Sequence, residues 1–314
     1  MATEPLDGNA MLSHYTNIRG LLGIVRSQSL WATDSLVLND RTEFFFALSA
    51  IYESSIQIAL PKVPSDIRDE SKDRKYFSAL LPDIITGIQK QAAESDGYGN
   101  IYITSFARGR TEDENERGIL SLWREYTGNE GYCLQFEEAH VRECVRSESE
   151  KHSYAWLEIA DVKYGIDRED RDFKYLAEQF SCLMLLRLFE ETRDRRLAQE
   201  VENRDVESIF IQKFISYCGK HKDPAFSDER EVRIFACPIN VTTAVVFSGR
   251  VQPKKIHKRE SEHGVARYIA IGETFTPGFI PKRILSGPNT STPIWIRGLY
   301  PPAPSIKACG ISHR

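Results

Sequence analysis

Two glutamates one residue apart, Glu229 and Glu231, precede an apolar run that also carries Arg233. Strand alternation puts all three side chains on one face. Carboxylates so placed can stabilise a cationic sugar, as in breaking a glycosidic bond, and can fix its 2′-hydroxyl. The same pattern also makes an ion-pair ladder on a half-exposed sheet. His14, in His14-Tyr15-Thr16, is a second candidate, a donor to a ribose or a phosphate. Tyr15 points to the other strand face and is expected to pack. Ser105-Phe106 closes a further apolar segment. Trp123 and Tyr126, three residues apart, share a helix face; they suit stacking on nicotinamide or adenine, and equally the filling of a core. Asp40-Arg41-Thr42-Glu43 fits a capping box, with Asp40 as N-cap and Glu43 reaching back.

These residues need elements to hold them. Met11 to Thr16 reads as a strand, followed by a helix from Asn17 to about Arg26, where Ile18, Leu21, Leu22 and Val25 recur at helical spacing. Leu30 to Thr33 is a second strand. The capping box starts a helix with a wide apolar face (Phe44, Phe45, Leu48, Ile51, Tyr52, Ile56), and another helix is expected over 76–92. Ile101 to Phe106 is a strand. The densely charged Arg108 to Arg117 reads as an exposed loop, its Arg108, Arg110, Arg117 and the nearby Arg124 offset by Glu112, Asp113, Glu114 and Glu116. A helix over 118–127 ends at Gly128. Tyr132 to Phe136 and Tyr154 to Tyr164 are strands, and Phe173 to Tyr217 is helical. Strands dominate again at 231–236, 244–251, 266–271 and 283–285. Lys254, Lys255, His257, Lys258 and Arg259 form a basic run, read as a hairpin loop able to touch nucleic acid.

Helices in the middle and strands at both ends argue for an α+β fold rather than a doubly wound parallel sheet. The expectation is one domain over 1–300 with a helical insertion at about 168–220 and a flexible tail at 301–314. The 314 residues carry 41 Lys+Arg against 45 Asp+Glu, a net charge of −4. That excludes a globally basic nucleic-acid binder, although a local patch survives. Six cysteines without a CxxC pair are expected to be small buried hydrophobes in a reducing cytoplasm. The start MATEPLDGNA lacks an apolar core, so no signal peptide is read there, and no stretch approaches a membrane span. There is no GxGxxG, P-loop, GxSxG or HExxH.

Eight short pieces in order resemble a bacterial family known as domain of unknown function 2971. They are His14-Tyr15-Thr16, Gly20 to Leu22, Leu30-Trp31, Leu38-Asn39-Asp40 with Glu43, Ser105-Phe106, Ser121-Leu122-Trp123 with Tyr126, Asp228 to Glu231 with Arg233, and Ile284 to Pro288. The opening also resembles the entry to the ADP-ribosyltransferase fold, a mixed, largely antiparallel split sheet. That likeness implies NAD as substrate and a macromolecular acceptor, protein or nucleic acid. It implies a cytoplasmic toxin or antiphage-defence effector. His14, Ser105 and Glu231 would take its three site positions, with Glu229 completing a doublet. Tyr15, Thr16, Asn39, Asp40, Phe106, Trp123 and Tyr126 would wall the NAD site, and no metal is assigned. Two rival readings stand beside it. One is a Mg²⁺-dependent nuclease or phosphoesterase using Asp40, Glu43, Asp228, Glu229 and Glu231. The other is a non-catalytic sensing or interaction module presenting the charged stretch Glu190 to Arg204.

Overall fold

The computed structural model describes residues 10–35, 41–66, 96–127, 131–197, 210–240, 251–261, 264–287 and 306–308. In chain order its first elements are β1 (Met11–Thr16), α1 (Ile18–Ser27), β2 (Leu30–Asp34), α2 (Arg41–Ala59) and β3 (Tyr102–Arg108). Next come α3 (Glu112–Arg117), α4 (Leu120–Tyr126), β4 (Tyr132–Glu137), α5 (Glu138–Lys151), β5 (His152–Asp161) and β6 (Lys163–Tyr164). The rest are α6 (Arg171–Thr192), α7 (Phe210–Lys220), β7 (His221–Lys222), β8 (Glu231–Pro238), β9 (Gln252–Pro253), β10 (His257–Ser261), β11 (Gly264–Ile271), β12 (Arg283–Ser286) and β13 (Ile306–Ala308). The chain divides into two compact units, one made of Met1–Asp34, Tyr102–Val162 and Ser227–Arg314, the other of Ser35–Ile101 and Lys163–Phe226.

The first unit is an α+β arrangement on a mixed, largely antiparallel open sheet, as the distribution of elements implied. Its path runs β10-β11-β2-β3-β1-β4-β12-β13, with β8 on the other edge of β3 and β5 on β8. The sheet forks at β3. β1 pairs with β3 only at Leu12↔Arg108 and Ser13↔Ala107, and β2 joins the same edge at Thr33↔Ile103 and Asp34↔Tyr102. Between those contacts His14 Nδ1 donates to the Ser105 carbonyl at 2.8 Å, so a side chain satisfies a backbone acceptor where the ladder opens. Leu12, Phe106, Leu134, Phe136, Val232, Ile234, Ile269 and Ile284 form the core on one face of the sheet, with Leu21 and Ile24 of α1 against it.

Local signals explain most of these elements. The Asn17 side chain caps α1 by accepting from Gly20 N at 3.0 Å. Two corrections arise. Arg108 to Arg117, read as an exposed loop, contains helix α3. Thr111 Oγ1 accepts from Glu114 N at 3.1 Å, and Glu112, Asp113 and Glu114 lie in the first turn, where negative charge meets the positive helix end. The basic run read as a hairpin loop instead enters β10, paired along its length with β11. Lys254 turns inward to the buried Glu148 at 2.8 Å. Helix α5 has no counterpart among the expected elements; it buries Val141, Cys144 and Val145 at helical spacing. The expected tail contributes Ile306–Ala308, parallel to β12.

In the second unit Asp170 caps α6 by accepting from Asp172 N and Phe173 N, and Phe180 packs on Phe210 and Phe214 of α7 at 5.4 and 5.0 Å. Cys133, Cys144, Cys182, Cys218 and Cys237 are buried and free, as expected for small hydrophobes. Burial pushes the thiols of Cys133, Cys144 and Cys237 up to about 12. The Asp40 cap, the helix at 76–92, Gly128 and nearly all of the strand at 244–251 lie outside the described residues.

Candidate functional site

One row of residues crosses the first unit's sheet on the face opposite the main core. Arg283, Gln135, Ser13, Ala107 and Glu231 are register partners in turn through β12, β4, β1, β3 and β8. Directly opposed residues share a face, so this face carries Ser13 and Tyr15 of β1, Ser105 and Ala107 of β3, and Glu231 and Arg233 of β8. Helix α4 lies over it. The result is a small open cavity of about 50 Å³ lined by Ser13, Tyr15, Ser105, Phe106, Ala107, Leu122, Tyr126, Glu229 and Glu231. That is smaller than a typical enclosed small-molecule site, so a ligand here would extend out of the cleft into solvent. Aromatic and aliphatic groups form most of the wall, and two carboxylates supply the charge.

Glu231 and Arg233 form a two-pronged buried pair, Nε to Oε1 at 2.6 Å and Nη2 to Oε2 at 2.8 Å, with both side chains under 8 % exposed. A fork-to-fork contact of this kind fixes the carboxylate plane. Glu229 ends the short 3₁₀ turn Pro224–Glu229 and is also buried. Between the two acids Arg230 adopts the left-handed conformation, φ +47°, which a non-glycine residue accepts at a cost. Its side chain holds the turn in place by clasping Glu114 of α3 with contacts of 2.5 and 2.8 Å. That contact lowers the Glu114 carboxyl to about 2, with help from the Arg110 and Thr111 backbone amides.

Tyr15 sets the other wall. Its hydroxyl accepts from Ile119 N, the N-cap residue of α4, at 2.6 Å. Burial raises the phenol far above its ordinary range and keeps it neutral. Gly118, at φ +81°, lets the chain turn between α3 and α4; a Cβ there would meet Trp123 Nε1 at 2.5 Å and Tyr15 Oη at 3.0 Å. The cover of the cavity is thus fastened at two points, by Tyr15 to α4 and by Arg230 to α3.

Residues 122–234 match the model of a family described as a protein of unknown function, DUF2971. The family resemblance is shown over this segment. No curated protein and no solved structure matches the chain. The matched segment contains Leu122, Tyr126, Glu229, Glu231 and Arg233, so it includes most of the helix over the cavity and both carboxylates; Tyr15 and Ser105 precede it.

Of the residues singled out from sequence, Tyr15, Ser105, Phe106, Tyr126, Glu229 and Glu231 meet at this cavity. His14 does not join them. Alternation turns its ring to the core face, edge-on to Phe106 with centroids 5.8 Å apart, and burial lowers its pKa while the bond to Ser105 raises it. Thr16 shares that face and sits against Gly20 of α1. Trp123 packs instead with Cys133 and Leu285, edge-on to Tyr15 at 5.2 Å, and donates to Arg117 O at 2.8 Å. The pair that reaches the cavity from α4 is Leu122 and Tyr126, four residues apart on one side of the helix. Asn39 and Asp40 lie outside the described residues. Among the described residues no three His, Cys, Asp or Glu side chains are grouped to hold a metal.

Sequence reasoning missed Ser13, Ala107, Leu122 and the Arg230–Glu114 clasp. Ser13 was legible only through its register with Ala107, a long-range fact. The clasp left a weak trace, an arginine between two catalytic candidates, with no sequence signal for its partner 116 residues away.

Proposed function

We propose that the chain is an NAD-dependent ADP-ribosyltransferase whose reacting centre is the Glu229–Glu231 end of the cavity. The observation that carries this reading is the pair of buried carboxylates beside an aromatic wall, with Glu231 oriented by Arg233. The fork of the sheet at β3 is in keeping with the split sheet of that fold. The cleft is open to solvent, and the half-exposed Tyr126 at its mouth is available to stack on the nicotinamide ring.

Cleavage breaks the bond from ribose to the nicotinamide nitrogen, and the bonding pair leaves with nicotinamide, which becomes neutral. Positive charge then gathers on the ribose, and the Glu231 carboxylate stabilises it. The acceptor's nucleophile bonds to the anomeric carbon and passes its proton to Glu229. Ser105 offers a hydroxyl to the substrate on the same face. His14 has a structural role at the fork, not a place in the cleft.

The test is nicotinamide release and label transfer from NAD, with protein and nucleic-acid acceptors supplied, in the wild type and in Glu231→Gln. Release by the wild type and its loss in the variant support the reading. NAD left intact with every acceptor overturns it.

A further inference from the structure

The sheet face that carries the cavity continues through β2 to β11 and β10. Thr33 is opposite Ile103, on the face of Ser105; Tyr268 is opposite Thr33, and His257 is opposite Tyr268. Trp31, opposite Ala270, belongs to the same face. Three rings therefore run side by side across three strands. Trp31 and Tyr268 have centroids 4.8 Å apart, and Tyr268 and His257 are stacked at 5.1 Å with planes 20° apart. Arg259 lies over the Trp31 ring at 5.9 Å and is tied to Thr33 Oγ1 at 3.2 Å. α1 closes in on Trp31, since a Cβ on Gly23 would stand 3.1 Å from its ring.

We propose that this face, β2–β11–β10, binds single-stranded nucleic acid, with bases on the Trp31–Tyr268–His257 stack and phosphates on Arg259 and Lys255. All three rings are half-buried, so each is held by its neighbours and still reaches solvent, while Lys255 and Arg259 are exposed. Rigid rings on a sheet and cations beside them are what sequence-tolerant single-strand binding requires: every base has a π-face, and every phosphate needs a positive partner. The guanidinium of Arg259, fixed by Thr33 and Trp31, is already ordered and keeps donors to spare for a phosphate. Burial and the nearby Lys255 and Lys254 favour neutral His257 against the pull of Glu273, which suits a ring that stacks. The overall charge of −4 confines such contact to a patch of this kind. Base pairing in a duplex hides the faces that stacking needs, so the surface favours single strands.

Binding is read by fluorescence anisotropy of a labelled short oligothymidine and its RNA equivalent, without NAD, so the result is independent of the transferase reading. The expected result is saturable binding that weakens steeply with salt, falls roughly tenfold in Tyr268→Ala and in Arg259→Glu, and is retained in Tyr268→Phe. Equal affinity for a duplex of the same length overturns the stacking. So does the absence of binding at low salt, or affinity unchanged in both Tyr268→Ala and Arg259→Glu when their thermal melts match the wild type.

Discussion

Removing the Glu231 carboxylate takes away one half of a buried pair, so lost turnover in Glu231→Ala alone does not separate chemistry from folding. Leaving a buried charge without its partner costs about 3–5 kcal/mol, and Arg233 is as buried as Glu231. Glu231→Ala is therefore expected to lower the free energy of unfolding by about that amount in a urea titration. Glu231→Gln keeps the shape and an acceptor for Arg233, and is expected to unfold nearer the wild type while still abolishing nicotinamide release. If Glu231→Gln turned over at the wild-type rate, the carboxylate would have no part in the reaction. Tyr15 presents a cleaner separation. Tyr15→Phe removes the acceptor for Ile119 N and the hydroxyl's contact with the Cys133 thiol, and keeps the ring that packs on Trp123. The expected cost is about 1–2 kcal/mol for an amide left unsatisfied, with a raised KM as α4 loosens over the cavity. Which of two neighbouring residues faces the site was half legible in the sequence. Alternation separates His14 from Tyr15, but which face carries the cavity depends on where α4 packs, and no local pattern says so.

The short helix α3 shows how an element can be hidden by its own charge. Glu112 to Arg117 has no buried residue, hence no apolar stripe to reveal it, and its stability comes from the Thr111 cap, the helix dipole and the Arg230–Glu114 contact. That contact makes a pH prediction. The Glu114 carboxyl sits at about 2 when folded, below its ordinary 4.5, so the pair's contribution is full above pH 4.5 and is lost as pH falls towards 2. Arg230→Gly is the right comparison, because glycine takes the left-handed backbone freely. The gap in unfolding midpoint between wild type and Arg230→Gly should be constant above pH 5 and close on acidification below 4.5. A gap that persists at pH 2 would show that the ion pair is not its source. Arg230→Ala, which loses the pair and keeps the unfavourable backbone, should be less stable than Arg230→Gly by about 1 kcal/mol.

Over the whole chain, what the sequence revealed was local and what it hid was relational. Strands β1, β2, β8 and β12 were legible because alternation and apolar runs are properties of a few consecutive residues. The fork at β3 and the five-strand row ending at Glu231 are products of register, which only the packed sheet decides. The buried polar network around Glu148 is the same kind of fact. Glu148 of α5 accepts from Lys254 Nζ at 2.8 Å, from Tyr154 Oη of β5 at 2.9 Å and from Gly272 N after β11 at 2.8 Å. One carboxylate thus joins α5, β5, the segment leading to β10 and the turn leaving β11, four parts of the first unit far apart in sequence. Lys254 looked in sequence like one more member of a basic run, yet it is fully buried, and burial of an ammonium demands its partner. Lys254→Met takes away the cation paired with Glu148, and is expected to cost about 3–5 kcal/mol, a fall in melting temperature of roughly 10 °C for a unit of this size. The double variant Lys254→Met with Glu148→Gln removes both charges and keeps an acceptor for Tyr154 and Gly272. It should therefore recover much of the loss, and the coupling read from the two singles and the double should exceed 1 kcal/mol. Additive effects in that cycle would mean that the two residues stabilise the unit separately.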